Sequence, residues 1–181
     1  MKYCNYCGGF LTVIIPRGDD RPRHTCEACG AVHYQNPKMV VGCIVESGDR
    51  ILLCRRAIEP RYGKWTIPAG FLENLENVAD GARREAWEEA RAGLGELTPY
   101  RLYSLTPISQ MYLIFRAELT DPDFSAGEES LEVRLFTREA IPWDELAFRV
   151  VSTCLEDYFS DRASGDYPFR IGEIFPIIEK R

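Results

Sequence analysis

The chain has 181 residues, of which 45% are apolar and 28% charged, and its formal net charge at pH 7 is -6. This composition is typical of a globular protein and argues against a disordered chain. No apolar run approaches the roughly 20 residues that a membrane helix needs, and no secretory signal is visible, so we expect a cytoplasmic protein. Net acidity argues against a general nucleic-acid binder, because phosphate backbones attract clustered lysine and arginine.

Residues 1–36 carry two C-x2-C pairs, each followed by glycine. The four cysteines are Cys4, Cys7, Cys26 and Cys29. This spacing is typical of a structural zinc site with four thiolate ligands, with a redox dithiol pair as the alternative. A segment this short has little apolar core, so a bound Zn²⁺ would stabilise its fold. We interpret His24 and His33 as surface or packing residues.

The main body, from residue 37 onward, mixes strand-like and helical segments. In chain order the sequence predicts strands over 39–46 and 50–56, a helix over 77–91, strands over 101–105, 111–119 and 132–136, and a helix over 143–159. A Ser-Gly-Asp sequence at 47–49 predicts a hairpin between the first two strands. Asn77 is expected to cap the first helix, Gly93 to end it and Pro142 to precede the second. This order fits an α+β fold better than a βαβ repeat.

Three glutamates on the first predicted helix are the strongest functional signal. Glu85, Glu88 and Glu89 stand at i, i+3 and i+4, so they share one helical face. Their mutual repulsion would weaken the helix unless a cation relieves it, and Mg²⁺ favours carboxylates together with substrate phosphates. A solvated surface face is the alternative reading of the same charges.

The segment that ends in these glutamates resembles the signature box of the Nudix hydrolases, which cleave nucleoside diphosphates linked to another moiety. The matching positions are Gly70, Glu76, Arg84, Glu85, Ala86, Glu88 and Glu89. The segment departs from the family at Arg91 and Ala92, where glycine and a larger aliphatic residue are usual. The resemblance implies an α/β/α sandwich with a mixed sheet over residues 37–181, preceded by a small zinc-ribbon domain over residues 1–36.

The resemblance also implies roles for the residues of the box. Glu85, Glu88 and Glu89, with the backbone carbonyl of Gly70, would hold Mg²⁺ or Mn²⁺, and Arg84 would pair with Glu76. The general base stays open between Glu88 or Glu89 on the helix and a later acidic loop. The loop candidates are Glu128, Glu129 and Glu132.

Residues that would contact the rest of the substrate are harder to assign. Arg55 and Arg56 end a strand and point opposite ways, so only one of them can reach a phosphate. Arg56 is the candidate. Trp65 and Tyr112 are candidates for stacking on a base, with core packing as the alternative for each.

The chain is similar over most of its length to bacterial and plant plastid zinc-ribbon Nudix proteins that hydrolyse FAD and ADP-ribose. ADP-ribose is therefore the first expected substrate and FAD the second. An NADH pyrophosphatase is an alternative, although the Ser-Gln-Pro-Trp-type signature of that group is absent. A Nudix-like sensor that uses the ribbon for a partner or nucleic acid is a further alternative. A homodimer is expected, with the apolar tail over 171–178 as a candidate contact.

Overall fold

The computed structural model describes residues 1–175. The chain divides into two compact units, Met1–Asn36 and a second unit that begins at Pro37. Within the described residues, no helix has the length and apolarity needed to cross a lipid bilayer. Of the predicted apolar tail over 171–178, positions 176–178 lie outside the described residues.

The first unit is a three-stranded antiparallel sheet. Its strands are β1 (Leu11–Ile14), β2 (Arg23–Cys26) and β3 (Val32–His33), in the spatial order β1-β2-β3. The chain between β1 and β2 turns through Asp19, whose carboxylate accepts hydrogen bonds from the Arg23 side chain at 2.9 Å and from two backbone amides. This ion pair closes the hairpin at the end remote from Cys26.

Within the described residues, the second unit contains eight strands and two α-helices. The strands are β4 (Lys38–Ser47), β5 (Arg50–Arg56), β6 (Trp65–Thr66), β7 (Ala69–Phe71), β8 (Thr98–Leu105), β9 (Gln110–Glu118), β10 (Ser130–Phe136) and β11 (Arg170–Glu173). The helices are α1 (Val78–Ala90) and α2 (Arg149–Ser164). The main sheet has the order β10-β5-β4-β9-β8-β11, and the β4–β9 and β8–β11 pairs are parallel. The predicted mixed sheet and the first hairpin are confirmed.

Alternating side chains of the central strands build a core on each face of this sheet. Ile44 and Leu53 belong to the core that contains α2, whereas Cys43, Val45 and Cys54 belong to the core that contains α1. Because successive residues of a strand point to opposite faces, the sheet lies between the two helices. The predicted α+β sandwich is therefore confirmed.

Helix α2 starts later than the sequence predicts. Residues Trp143–Glu145 form a single 3-10 turn, and Leu146 is extended. The backbone N–H of Ala147 donates to the Trp65 carbonyl at 2.8 Å, so this stretch is bonded to β6 and cannot continue a helical ladder. Leu146 of this stretch packs on the same core as α2. Its apolar side chain therefore continues the helical spacing of α2 although the backbone is not helical. The helix begins at Arg149 and runs to Ser164, past the predicted end at residue 159.

Helix α1 carries the predicted glutamates and is well capped. The side-chain oxygen of Asn77 accepts hydrogen bonds from the N–H groups of Ala79 and Asp80, which confirms the predicted N-cap. The helix ends at Arg91 in a left-handed conformation, with φ of 50°, and not at Gly93. Ala92 N–H donates back to the Ala86 carbonyl at 3.2 Å, and this bond closes the end of the helix.

Candidate active site and metal centre

The four cysteines of the first unit come together in space. Their Sγ atoms all lie within 4.8 Å of one another. Cys4 Sγ is 3.8 Å from Cys29 Sγ, and Cys7 Sγ is 3.4 Å from Cys26 Sγ. Four thiolates at about 2.3 Å from a tetrahedral zinc ion would be separated by about 3.8 Å. The cluster therefore fits a structural Zn²⁺ ion closed by four cysteines.

Two similar turns present these thiolates. Gly8 and Gly30 both have φ of 72°, and their N–H groups donate to the carbonyls of Cys4 and Cys26. A residue with a side chain is strained at this left-handed φ, which explains the glycine after each cysteine pair. The backbone N–H of Tyr6 also points at Cys4 Sγ, at 3.4 Å, and stabilises negative charge on that sulfur.

His33 contributes to this centre in a way that the sequence did not reveal. Its Nε2 atom lies 3.3 Å from Cys4 Sγ, and the side chain is buried. The Tyr6 ring stacks on it at a centroid distance of 5.5 Å. A hydrogen bond to a ligating sulfur orients the ligand and tunes the metal site. His24 faces His33 across the β2–β3 pair, but no hydrogen bond joins it to any of the described thiols.

The main unit places the box glutamates unequally. Glu85 and Glu89 are buried, at 8% and 6% exposure, whereas Glu88 is exposed. Glu89 Oε2 accepts a hydrogen bond from Ala69 N–H at 3.3 Å. A Cβ atom at Gly70 would overlap the Glu85 carboxylate, so only glycine lets the carboxylate approach this backbone. For Glu85 and Glu89, the alternative interpretation as solvent-exposed surface charges is therefore wrong.

Arg84 connects these glutamates to the loop that precedes the helix. Its Nε and Nη2 atoms donate to the two carboxylate oxygens of Glu76 at 2.9 and 3.1 Å. Its Nη1 donates to Glu85 Oε1 at 2.6 Å and to Glu88 Oε2 at 2.8 Å, and Nη2 also reaches the Phe71 carbonyl at 3.0 Å. Such bidentate pairs hold both the charge and the geometry of a carboxylate. The expected pairing of Arg84 with Glu76 is present.

Burial and neighbouring negative charge raise the pKa of both buried carboxyls of the site. Burial raises the pKa of Glu89 to about 8, and the negative charge of Glu85 adds to this effect. Burial also raises the pKa of Glu85, although the Arg84 guanidinium opposes the shift. In contrast, the hydrogen bonds from Arg84 lower the pKa of Glu76. Two buried carboxyls without full compensation form a donor set that suits a hard divalent cation.

These carboxylates line a cleft of about 1340 Å³. We call the side of the cleft that carries these carboxylates the acidic wall. The loop that precedes β10 adds Glu128 and Glu129 to it. Gly127 N–H donates to the Glu89 carbonyl at 3.0 Å, and a Cβ atom at Gly127 would overlap the Glu88 carbonyl oxygen. Glycine is therefore required where this loop docks on α1. The sequence analysis missed Gly127, because only its tertiary neighbour makes it special.

Glu132 does not belong to this acidic wall. It lies within β10, and its carboxylate is 2.6 Å from Arg134 Nε and 4.0 Å from Arg55 Nη1. It is absent from the residues that line the cleft. The prediction that Glu132 is a general-base candidate is corrected, because the acidic loop ends and the strand begins at Ser130.

The two arginines at the end of β5 diverge as strand alternation requires. Arg56 lines the cleft, and Arg55 turns toward the Gly63 carbonyl at 2.9 Å. The Arg56 guanidinium lies over the Phe148 ring, 5.2 Å from its centroid, and its Nε donates to the Pro60 carbonyl at 3.0 Å. Its role in substrate binding stays a prediction.

The two aromatic candidates for base stacking separate in the same way. Tyr112 is half-buried and lines the cleft, and its role also stays a prediction. Trp65 is only 5% exposed and packs edge-on against Phe136 at 4.9 Å. It does not line the cleft, so the prediction that Trp65 stacks on substrate is wrong and its core-packing alternative holds. Trp65 belongs to the core that contains α2, which explains its burial.

Three cleft residues were not predicted as substrate-binding or catalytic residues. Phe148 and Arg149 stand at the start of α2, and Ile174 follows β11. Ile174 N–H donates to the Ser104 carbonyl at 2.9 Å, which continues the parallel pairing of β11 with β8. These residues reach the cleft through tertiary packing, and no local motif marks them.

A mixed sheet between two helices, preceded by a four-cysteine unit, defines a zinc-ribbon protein of the Nudix fold. The model of the NUDIX domain matches residues 36–154, and the model described as Nudix N-terminal, a zinc ribbon, matches residues 2–35. The chain therefore belongs to the Nudix family.

Individual relatives agree with this assignment. A solved structure of a NUDIX hydrolase from Nitrosomonas europaea is 51% identical, covers 97% of this chain and 99% of its own, and has a TM-score of 0.91. The NAD-capped RNA hydrolase NudC of Chromobacterium violaceum is 29% identical over 76% of this chain, but over only 51% of its own length. The ADP-ribose pyrophosphatase of Methanocaldococcus jannaschii is 29% identical over 64% of this chain and 69% of its own. The chain thus spans about half of the Chromobacterium relative.

The zinc centre predicts a specific effect of His33. Purified protein should contain about one zinc ion per chain by elemental analysis, since four thiolates close one tetrahedral shell. Replacing His33→Gln should weaken zinc binding by about 10- to 100-fold, because the hydrogen bond to Cys4 Sγ is altered. His24→Gln is the matched control. Equal rates of zinc release to a chelator from both variants, or a metal-free first unit that stays folded, would contradict this assignment.

The acidic loop predicts a steric effect at Gly127. Gly127→Ala should push the loop off α1, because the added methyl group overlaps the Glu88 carbonyl oxygen. We expect a loss of stability of about 1–3 kcal/mol in urea unfolding. Gly95→Ala is the matched control, since its nearest neighbour would lie 3.5 Å from the new Cβ. Wild-type stability of Gly127→Ala would show that the loop does not dock as described.

Proposed function

We propose that this protein hydrolyses the P–O–P link of a nucleoside diphosphate derivative with the help of Mg²⁺ or Mn²⁺. The observation that carries the proposal is the pair of buried carboxylates, Glu85 and Glu89, on the floor of a large cleft beside Gly70. Membership of the Nudix family supports the same reaction class.

Glu85, Glu88 and Glu89, with the Gly70 carbonyl, are the residues that would hold the cation. When bound, a divalent cation would offset phosphate charge and favour the deprotonation of water. Arg84 holds Glu85 and Glu88 in place, and Ala69 N–H holds Glu89. The chain supplies these ligands before any substrate arrives.

In the reaction, a water oxygen would bond to one phosphorus while the bond from that same phosphorus to the bridging oxygen breaks, and the bridging oxygen leaves with the other phosphate. The proton of that water must pass to a base in the cleft. Glu88, Glu89, Glu128 and Glu129 all line the cleft and remain candidates for this step. The products would be two phosphate monoesters.

ADP-ribose is the first proposed substrate, giving AMP and ribose 5-phosphate, and FAD is the second. The similarity to the ADP-ribose pyrophosphatase of Methanocaldococcus jannaschii favours the former. NADH or NAD-like substrates are the third candidate, which the similarity to the Chromobacterium NAD-capped RNA hydrolase favours. Assembly as a homodimer is part of the proposal.

Glu89→Gln tests the proposed site directly. The change keeps the shape of the side chain but removes its charge, so kcat should fall by about 100-fold or more on a panel of ADP-ribose, FAD and NADH with Mg²⁺. Glu96→Gln, on an exposed residue beyond α1, is the matched control. Near-normal turnover by Glu89→Gln would remove the residue from the mechanism, and nucleotide binding without any turnover by wild type would favour a sensor.

The raised pKa of Glu89 predicts how stability depends on pH. Because burial raises this pKa from 4.5 to about 8, the folded metal-free protein holds the proton more tightly than the unfolded chain. Its free energy of unfolding should therefore fall as pH rises from about 5 to 8. Mg²⁺ should raise the melting temperature more at pH 8 than at pH 5, since it competes with this proton.

Calorimetry across this pH range measures the effect. Glu89→Gln should be less dependent on pH than wild type and should gain less from Mg²⁺, with Glu96→Gln again as the control. The assignment to Glu89 would be contradicted if the melting temperature of metal-free wild type rose between pH 5 and 8. It would also be contradicted if wild type and Glu89→Gln showed the same dependence on pH.

A further inference from the structure

One face of the three-stranded sheet in the first unit gathers aromatic side chains. Residues directly opposite each other in antiparallel strands share a face, and two such pairs are Tyr3 with Phe10 and Ile14 with Arg23. Phe10 and Ile14 are an even number of residues apart, so they project from the same side of the sheet. Tyr34 joins them, because the Arg23 guanidinium lies over its ring at 5.1 Å from the centroid. We call these five residues the aromatic face.

The apolar members of the aromatic face are open to solvent. Their exposed fractions are 54% for Tyr3, 64% for Phe10, 49% for Ile14 and 65% for Tyr34. The rings of Tyr3 and Phe10 are in contact, with centroids 5.1 Å apart, so the exposed apolar surface is contiguous there. Contiguous apolar surface on a soluble protein marks an interaction site more often than single exposed side chains do.

The four-cysteine centre lies on the other side of the same sheet. Leu11 pairs with Cys26, and His24 pairs with His33. These residues belong to the alternate set, which projects away from the aromatic face. His33 in turn contacts Cys4 Sγ at 3.3 Å. The aromatic face is therefore not needed to enclose the cysteine cluster, and its exposure requires another explanation.

The charge of the aromatic face is balanced within the first unit. Arg23 Nε lies 2.9 Å from the Asp19 carboxylate, and both side chains are largely shielded from solvent. Glu27, whose N–H donates to the Phe10 carbonyl, is exposed beside the face. The face thus offers apolar contact area around one neutralised arginine. Tyrosine, phenylalanine and arginine are the residue types enriched in interfaces between proteins.

The distribution of charge along the chain indicates what covers this face. Residues 1–36 have a formal net charge of +1, whereas residues 37–181 have a net charge of -7. Two copies that met through their second units would bring like charges together, and this repulsion opposes association. A polyanion such as a nucleic acid would need clustered cations, which the aromatic face does not offer. A second copy of the nearly neutral first unit meets neither obstacle.

We propose that two copies of this chain associate through the aromatic face, first unit against first unit. In a twofold contact the same patch lies on both sides, and an apolar patch with balanced charge is complementary to itself. The inference rests on the homodimer of the proposed function and names its contact surface. That surface differs from the apolar tail over 171–178, in which Ile171 and Phe175 are exposed.

Sedimentation equilibrium of single variants tests the inference. Phe10→Asp and Tyr34→Asp should each raise the dissociation constant of the dimer by at least about 30-fold, because a carboxylate in an apolar contact must lose its water. Val13→Asp is the matched control, since Val13 is also exposed but projects from the opposite side of β1. Ile171→Asp tests the tail as the alternative contact. Zinc content by elemental analysis shows whether the first unit of each variant is folded.

Hydroxyl-radical footprinting of the wild type tests the same surface without any substitution. Tyr3 and Tyr34 should be oxidised more slowly at concentrations at which the protein is a dimer than after dilution to the monomer. Tyr6, which stacks on His33, and Tyr62 of the second unit are the internal controls, because both are exposed and lie off the aromatic face. This measurement decides the inference even if the aspartate variants lose their zinc.

Three outcomes would overturn the inference. The first is a wild type that stays monomeric from about 1 to 100 µM, which would also remove the homodimer from the proposed function. The second is a dimer that survives both aspartate variants of the aromatic face with zinc bound, or that Val13→Asp or Ile171→Asp disrupts instead. The third is equal protection of all four tyrosines on dilution.

Turnover of ADP-ribose by the same preparations separates this inference from the hydrolase proposal. An active wild-type monomer would overturn the contact surface and leave the hydrolysis standing. A wild-type dimer with the expected footprint but without turnover of any diphosphate would overturn the hydrolysis and leave the contact surface standing.

Discussion

The site depends on the guanidinium of Arg84. It is the one cation that touches Glu76, Glu85 and Glu88 among the described residues, and it also binds the Phe71 carbonyl. These bonds fasten the loop before α1 to the helix. They leave Glu89 without an ion pair among the described residues, and its carboxylate accepts a hydrogen bond from the Ala69 backbone amide and lies near the negative charge of Glu85. One arginine thus organises the carboxylates and still leaves the cluster short of positive charge.

The box could be interpreted from sequence because its geometry is local. A spacing of i, i+3 and i+4 sets three glutamates on one helical face whatever the rest of the chain does. Its end was harder to place, because Arg91 accepts the left-handed conformation that was expected of Gly93. The four cysteines were similarly clear, since two short turns are enough to aim their thiols.

Residues whose importance comes from distant neighbours escaped the sequence analysis. Gly127 looks like any loop glycine until the α1 backbone is placed against it. Trp65 looked like a stacking residue until its strand was buried against Phe136. The stretch over 143–147 has helical spacing, but its Ala147 N–H donates to the Trp65 carbonyl of β6 instead of to a helical partner. In each case a tertiary contact overrides a local preference.

The C-terminal segment shows how such contacts complete the cleft. Buried Arg101 donates to the Pro168 carbonyl at 2.8 Å and to Asp157 at 3.1 Å, and it also binds Asp161. Asp161 in turn accepts from Arg170 at 2.9 Å. This network holds β11 against β8 and thereby sets Ile174 at the cleft, outside the range that the NUDIX domain model covers. Removing one partner of a buried ion pair is costly, so this network should hold β11 firmly on β8.

The central claim is that the α1 glutamates hold a divalent cation. It is tested most directly by crystals grown with Mn²⁺ and a non-hydrolysable ADP-ribose analogue, with anomalous diffraction recorded at the manganese edge. The account predicts anomalous density among the carboxylates of Glu85, Glu88 and Glu89 and the Gly70 carbonyl. A manganese ion bound elsewhere, with those carboxylates free of metal while the analogue occupies the cleft, would contradict it.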